Sequence, residues 1–432
     1  MGVPVVGRRR SPGSLAWEAE MRGRVLIAAS VWIAGALCVP SAARAGDDLP
    51  PVAESPADVR PGKTALLTAP EGMTYVLRVP RGYDRKKGAR LIVFLHGSNM
   101  NGQQYLASFE ARGWADDAIL CCPNGETGEG PGGANNFTFG SAPLVADVTR
   151  QVQAAFEVPV TYVGGHSQGG FLTHSVILRF PELYQGAIPM AGDCWSQNEP
   201  NLWEDDEKAF AARRRIPVAV IHGRADPVVR FSQGEHAYDV YRACGWQRLR
   251  LFAPDDLGHQ FMLSPVAEAL EWLDALNGRE PRRSLALADD WAEAGEWGWV
   301  RETCRALREA HPRDATVRSR APKLLDASEK AAKAAVDEIS EVLRGEALTW
   351  VPLWLEFERV HGNADAAAAL VRRIWKRRDD QRRDAARRFD EALGLFRSEQ
   401  RDAGFAALEA LLAETPHSYH AYYAWKWLSE RE

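Results

Sequence analysis

Up to about residue 278 the chain is built from short apolar runs broken by polar turns; after it the apolar positions recur at helical spacing. In the first part, 73–80 alternates apolar with polar and predicts a strand. The run 91–95 is continuously apolar and predicts a central strand buried on both faces. Residues 118–123, 159–163, 187–192, 216–222 and 248–252 read as further strands, rich in β-branched and aliphatic residues. Between them, 146–157 is amphipathic, 171–180 is an apolar-rich run stopped by Pro181, and 265–276 closes the unit as a helix. Strands alternating with helices predict an α/β fold, a mostly parallel sheet covered by helices on both faces. The stretch 125–141, rich in Gly and Asn, predicts a long loop, and 47–61 a linker.

Residues 279–283 form a charged link. From 284 to 432 the chain is rich in Ala, Leu, Glu and Arg and has no strand pattern, which predicts an all-α helical-hairpin domain. Trp350 and Trp354 recur at helical spacing, as core aromatics do. The segments 292–312 and 403–416 followed by 419–428 resemble tetratricopeptide-like helical hairpins, without a sustained period. Acids interleave the basic stretch 372–388, so it predicts a solvated helix face. The helical part offers a surface for a protein partner or a stabilising appendage.

The 432 residues carry a net charge of −5, which gives no case for nucleic-acid binding. The N-terminus has its own pattern. Arg22 and Arg24 precede an apolar run over 25–39, and Ala43-Arg44-Ala45 supplies the small residues of a cleavage site. This predicts a signal peptide over 1–45, with Met21 an alternative start, and export to the periplasm or beyond the cell. The expected organisation is then a linker over 46–62, the α/β domain over 63–278, the link over 279–283 and the helical domain over 284–432. Cys121, Cys122, Cys194, Cys244 and Cys304 lie beyond the signal. An exported chain permits disulfides, and a link from Cys121 or Cys122 to Cys194 or Cys244 is expected, with at least one thiol free or paired between chains. No cysteine has metal-ligand spacing with histidines, so neither a metal nor an organic cofactor is implied.

The chemistry centres on Gly165-His166-Ser167-Gln168-Gly169. It fits G-x-S-x-G between a predicted strand and a predicted helix, the turn that lifts a serine out of a sheet. A serine hydroxyl needs an adjacent base, and the base an orienting carboxylate. Asp226 follows the strand ending at His222, and His259 follows the last strand. Chain order Ser, Asp, His makes Ser167, Asp226 and His259 the catalytic candidates, with Asp193 the rival acid and His236 the weaker base. Two N–H donors are needed for an oxyanion, and those of Gln168 and Ser98 are the candidates. Asn135, Asn136, Phe137 and Phe139 on the long loop, and Trp195 past a strand end, are candidates for lining a substrate pocket.

Together, Leu95-His96-Gly97, the motif around Ser167, 222–226 and Gly258-His259 resemble an α/β-hydrolase of the esterase type. Within that superfamily they are similar to secreted feruloyl esterases and polyhydroxybutyrate depolymerase-like enzymes, and to the phospholipase/carboxylesterase branch. Ser98 stands where many depolymerase-like members have cysteine, and the helical C-terminal part belongs to neither pattern. The resemblance covers residues 63–278. It implies an exported serine hydrolase acting on a small-molecule or polymer ester through an acyl-enzyme. A serine peptidase of the same fold and a non-catalytic interaction protein are the alternatives.

Overall fold

The computed structural model describes residues 49–430 apart from 112, 114–115, 195–211, 213–214, 345–346, 399 and 416–417. Period-two alternation builds its sheet. In the run 90–95, Leu91, Val93 and Leu95 enter one apolar layer, and Ile92 and Phe94 the other. The strands are β1 (Thr64–Thr68), β2 (Thr74–Arg78), β3 (Arg90–Leu95), β4 (Ala118–Pro123), the short β5 (Thr127–Gly128) and β6 (Asn135–Asn136), β7 (Thr161–His166), β8 (Gly186–Met190), β9 (Val218–Ile221) and β10 (Leu249–Phe252). Eight of them form one sheet in the order β1-β2-β4-β3-β7-β8-β9-β10. The pairs β1/β2 and β2/β4 are antiparallel and every later pair is parallel. This is the expected mostly parallel sheet, with an antiparallel edge that the spacing did not predict.

Helices cover both faces. On one lie α1 (Gly102–Glu110), through Tyr105, Leu106 and Phe109, and α5 (Leu263–Leu276), through Val266, Leu270 and Leu273. On the other lie α2 (Ala142–Ala155), α3 (Gln168–Arg179) and α4 (Phe231–Ala243). Helix α1 carries a capping box: Asn101 accepts from the Gln104 N–H, and Gln104 accepts from the Asn101 N–H. The long loop after β4 folds back on itself as the β5–β6 hairpin, and the Glu126 carboxylate ties Thr138 and Ser141 together at its base.

The C-terminal part is helical: α6 (Pro281–Glu293), α7 (Trp297–Ala310), α8 (Ala315–Val342), α9 (Ala347–His361), α10 (Ala368–Arg397), α11 (Arg401–Glu414) and α12 (Tyr419–Glu430). Helices α6 and α7 and the start of α8 continue the apolar layer of α5. Trp272 meets Trp299 edge-on at 5.7 Å, and Trp291 meets Trp299 at 5.6 Å. Leu285, Val300, Leu307 and Val317 join the same layer. A separate core lies among α8 to α12, around Trp354, Leu370, Leu408 and Leu411. Arg301, fully buried, ties α7 to the neighbouring helices by hydrogen bonds to Asn363 Oδ1 and to the Ser328 and Val360 carbonyls. Helix α12 rests on α4, with Lys426 on Asp239 at 3.1 Å. In the basic stretch, Arg387 and Arg388 pair with Asp384 on their own helix, as a solvated face would.

The cysteine expectation fails. Among the described residues all five cysteines are buried thiols, and the expected link does not form. Cys121 and Cys122 are successive residues of β4, so their side chains enter opposite apolar layers, and Cys122 lies across the sheet from Cys194 and Cys244. Burial pushes the Cys121, Cys122 and Cys304 thiols up, which leaves them protonated.

Candidate active site

Ser167 stands between β7 and α3 with φ at 54° and ψ at −118°. A side chain at positive φ costs strain and persists only where the surroundings impose it. Here its N–H is fixed by the Met190 carbonyl on β8 at 2.9 Å, and the Gly169 N–H donates to the His96 carbonyl at 3.1 Å. The turn is so tight that a methyl on Gly165 would strike the Gly169 backbone, and one on Gly169 the Leu95 carbonyl. Glycine at both positions is therefore a steric requirement.

The hydroxyl this turn presents meets an imidazole. Ser167 Oγ lies 3.0 Å from His259 Nε2, and His259 Nδ1 lies 2.8 Å from Asp226 Oδ2. The second carboxylate oxygen of Asp226 accepts from the Val228 and Val229 N–H groups at 2.8 and 2.9 Å. Burial opposes the Asp226 charge, but the His259 hydrogen bond and the two backbone donors outweigh it and hold the carboxyl below its ordinary range. An ionised, doubly anchored Asp226 fixes the Nδ1–H tautomer of His259 and leaves Nε2 to accept from Ser167. Asp226 follows β9 and His259 follows β10, so the three groups gather at the carboxyl ends of three parallel strands.

Asp193, past the end of β8, is engaged elsewhere: its Oδ1 accepts from His236 Nδ1 and from the Cys194 N–H, both at 2.7 Å. His96 donates from Nδ1 to the Gly97 carbonyl at 2.8 Å and accepts the Gly125 N–H on Nε2 at 3.0 Å. Burial lowers it to about 4, so it is a neutral turn residue. Next to it, the Gly97 N–H donates to Tyr105 Oη at 3.1 Å. A methyl on Gly97 would lie 3.5 Å from Ser167 Cβ, so this turn borders Ser167. Neither the Ser98 nor the Gln168 N–H has a hydrogen-bond partner among the described residues.

On the long loop, the Asn135 amide donates to the Gly130 and Gly133 carbonyls and is buried. Asn136 exchanges hydrogen bonds with Asn99. The buried Phe137 ring lies tilted against His96 at 4.4 Å, and the Phe137 N–H donates to Gln168 Oε1 at 2.9 Å. These contacts fasten the loop to the Ser167 surroundings. Trp195 lies outside the described residues, as does the Phe139 side chain. The spacing gave no role to His166 and Tyr105, which lie between the Ser167 turn and His259. The His166 ring reaches Tyr105 Oη through Nδ1 and the His259 carbonyl through Nε2, both at 2.7 Å. A histidine at the variable position of G-x-S-x-G, beside so many glycines, was the available signal.

Residues 144–277 match the phospholipase/carboxylesterase family, a stretch that contains Ser167, Asp226 and His259. The chain carries an α/β-hydrolase fold. A curated relative, acyl-protein thioesterase 1 of Candida albicans, is 20% identical over 137 residues, 31% of this chain and 58% of the relative. The chain thus spans little more than half the length of that relative. Among solved structures, acyl-protein thioesterase 2 of Zea mays is 21% identical, covering 46% of this chain and 97% of the other with a TM-score of 0.39. An acetyl xylan esterase from Aspergillus awamori is 15% identical, covering 49% and 99%, with a TM-score of 0.40. The α/β-hydrolase part ends near α5, and the match stops before α6. Among the described residues, no group of histidine, cysteine and carboxylate side chains is arranged to hold a metal ion.

Proposed function

We propose that this protein is an exported serine hydrolase that cleaves carboxylic esters through an acyl-enzyme. The observation that carries the reading is the continuous line of hydrogen bonds from Ser167 Oγ through His259 to Asp226. In this reading His259 takes the Ser167 proton as the hydroxyl attacks the ester carbonyl. The Ser98 and Gln168 N–H groups receive the oxyanion of the tetrahedral intermediate. His259 then returns the proton to the leaving alcohol, and a water activated by the same imidazole releases the acid. The phospholipase/carboxylesterase match supports an ester substrate over a peptide. The basic and apolar pattern before Ala45 supports export.

A fluorophosphonate probe tests the nucleophile. Wild-type protein is expected to label and Ser167→Ala not to; a wild type that stays unlabelled ends the reading. Turnover of p-nitrophenyl esters and acyl thioesters without turnover of peptide anilides is expected, and the reverse makes it a peptidase. N-terminal sequencing of exported protein is expected to begin at Gly46.

A further inference from the structure

The Tyr105–His166 contact has one consistent hydrogen assignment. The His259 carbonyl oxygen can only accept, so His166 Nε2 carries the proton and donates to it at 2.7 Å. Burial lowers His166 to about 3, so the ring is neutral and Nδ1 is an acceptor. Tyr105 therefore donates its hydroxyl proton to His166 Nδ1 at 2.7 Å and receives the Gly97 N–H on the same oxygen at 3.1 Å. The full order is Gly97 N–H to Tyr105 Oη, Tyr105 O–H to His166 Nδ1, His166 Nε2–H to the His259 carbonyl. Every side chain in it is buried.

The two ends of this chain of hydrogen bonds matter. One is the backbone of the turn that offers the Ser98 N–H; the other is the backbone of the residue whose ring faces Ser167. Its middle residue is covalently next to the nucleophile. His259 itself sits on a loop between β10 and α5, with no regular element to hold it. Phe261 closes the space beside this line, its ring 4.8 Å from Tyr105 and 6.0 Å from His166.

We infer that Tyr105 and His166 are positioning residues that lock the oxyanion turn and the His259 loop into one geometry around Ser167. Neither touches the reacting atoms. Taking the Gly97 N–H out of play also selects Ser98 as the donor in that turn. The inference rests on the ester-hydrolase reading, and it predicts that loss of either link displaces donor and base together. Misplacing reacting groups by about 1 Å costs on the order of a hundredfold in rate.

The test uses the full chain with p-nitrophenyl acetate. Tyr105→Phe removes one hydroxyl and two links; His166→Leu removes the donor to His259; His166→Gln keeps an N–H at the position of Nε2. Tyr105→Phe and His166→Leu are each expected to lower kcat about ten- to a hundredfold with KM unchanged. The double variant is expected to lose no more than the worse single, because the links act in series. His166→Gln, which keeps the donor but lacks the Nδ1 acceptor, breaks the same link as Tyr105→Phe and is expected to lose about as much kcat. Folded variants with wild-type kcat, effects that multiply in the double variant, or a loss confined to KM overturn the inference. Should His166→Leu fail to fold, Tyr105→Phe and His166→Gln still decide it: near-wild-type kcat in either folded variant overturns it. A wild type that neither turns over the ester nor labels with fluorophosphonate would instead defeat the ester-hydrolase reading itself.

Discussion

Asp193 holds His236 at 2.7 Å where Asp226, at the end of the neighbouring strand, holds His259 at 2.8 Å. Two carboxylate–imidazole pairs thus stand side by side at the ends of β8 and β9, and only the second continues to a serine hydroxyl. Asp226→Asn is expected to cut kcat about ten-thousandfold, because the wrong His259 tautomer would then face Ser167. Asp193→Asn is expected to stay within about tenfold, since His236 makes no contact with Ser167. Steady-state kinetics of both variants check the assignment, and reversed losses would move the acid to Asp193.

Acid sensitivity follows from buried histidines. Burial lowers His166 and His174 to about 3, and His96 and His361 to about 4. In the unfolded chain they protonate near the usual histidine value of about 6.5. Below that pH the unfolded state binds protons the native state refuses, so stability is complete above it and is lost as pH falls towards the native values. Each such group contributes a slope of at most about 1.4 kcal/mol per pH unit in that window. The Asp226 carboxyl, held below its ordinary range, adds a loss that begins only when pH falls through the carboxylate range. Thermal melts at pH 7, 5.5 and 4.5 are expected to show a progressive fall in Tm. A flat profile from 7 to 4.5 would contradict the neutral histidines.

The turn at Ser167 leaves no room for a side chain on Gly169, whose methyl would meet the Leu95 carbonyl. Gly169→Ala is expected to abolish fluorophosphonate labelling and to destabilise the protein by more than about 3 kcal/mol, a loss set by steric strain rather than by chemistry. Urea unfolding measures it.

The tryptophan seam sets how the helical part contributes. Trp299 is packed against Trp272 of α5 and against Trp291, under the same apolar layer that lines the sheet. Trp299→Ala is expected to cost about 3–5 kcal/mol. A chain ending at Gly278 loses Leu285, Trp291, Trp299 and Val300 from that layer and is expected to melt at a much lower temperature than full-length protein. Equal melting temperatures would mean that the helices add nothing to the sheet's stability.

Much of this was legible in the chain because short strands leave local signatures. The apolar run 91–95 and the glycines around Ser167 carry their own structural requirement, and Asp226 and His259 could be found from their place after strands. What stayed hidden depends on contacts distant in sequence. Strand β1 pairs with β2 through backbone hydrogen bonds that a five-residue polar-ended segment does not advertise. Helix α1 has a capping signal, Asn101 with Gln104, that apolar periodicity does not register. Tyr105 lies 61 residues from His166, and His166 lies 93 from His259. Strand alternation, which a list of cysteine positions does not contain, puts Cys122 on the layer opposite Cys194 and Cys244, while Cys121 shares their layer and is still a thiol.

Those five buried thiols also make the chain its own reporter. Cys121, Cys122, Cys194, Cys244 and Cys304 are all buried, and burial hides them from alkylating reagents while the protein stays folded. Modification must then wait for an opening event, so the labelling rate at each cysteine reads the local opening equilibrium around it. Cys121 and Cys122 would time the sheet, Cys304 the seam beneath Trp299, and Cys194 and Cys244 the α4 side. The fold needs no oxidant to close it, and the same clock runs with or without a reducing agent in the buffer.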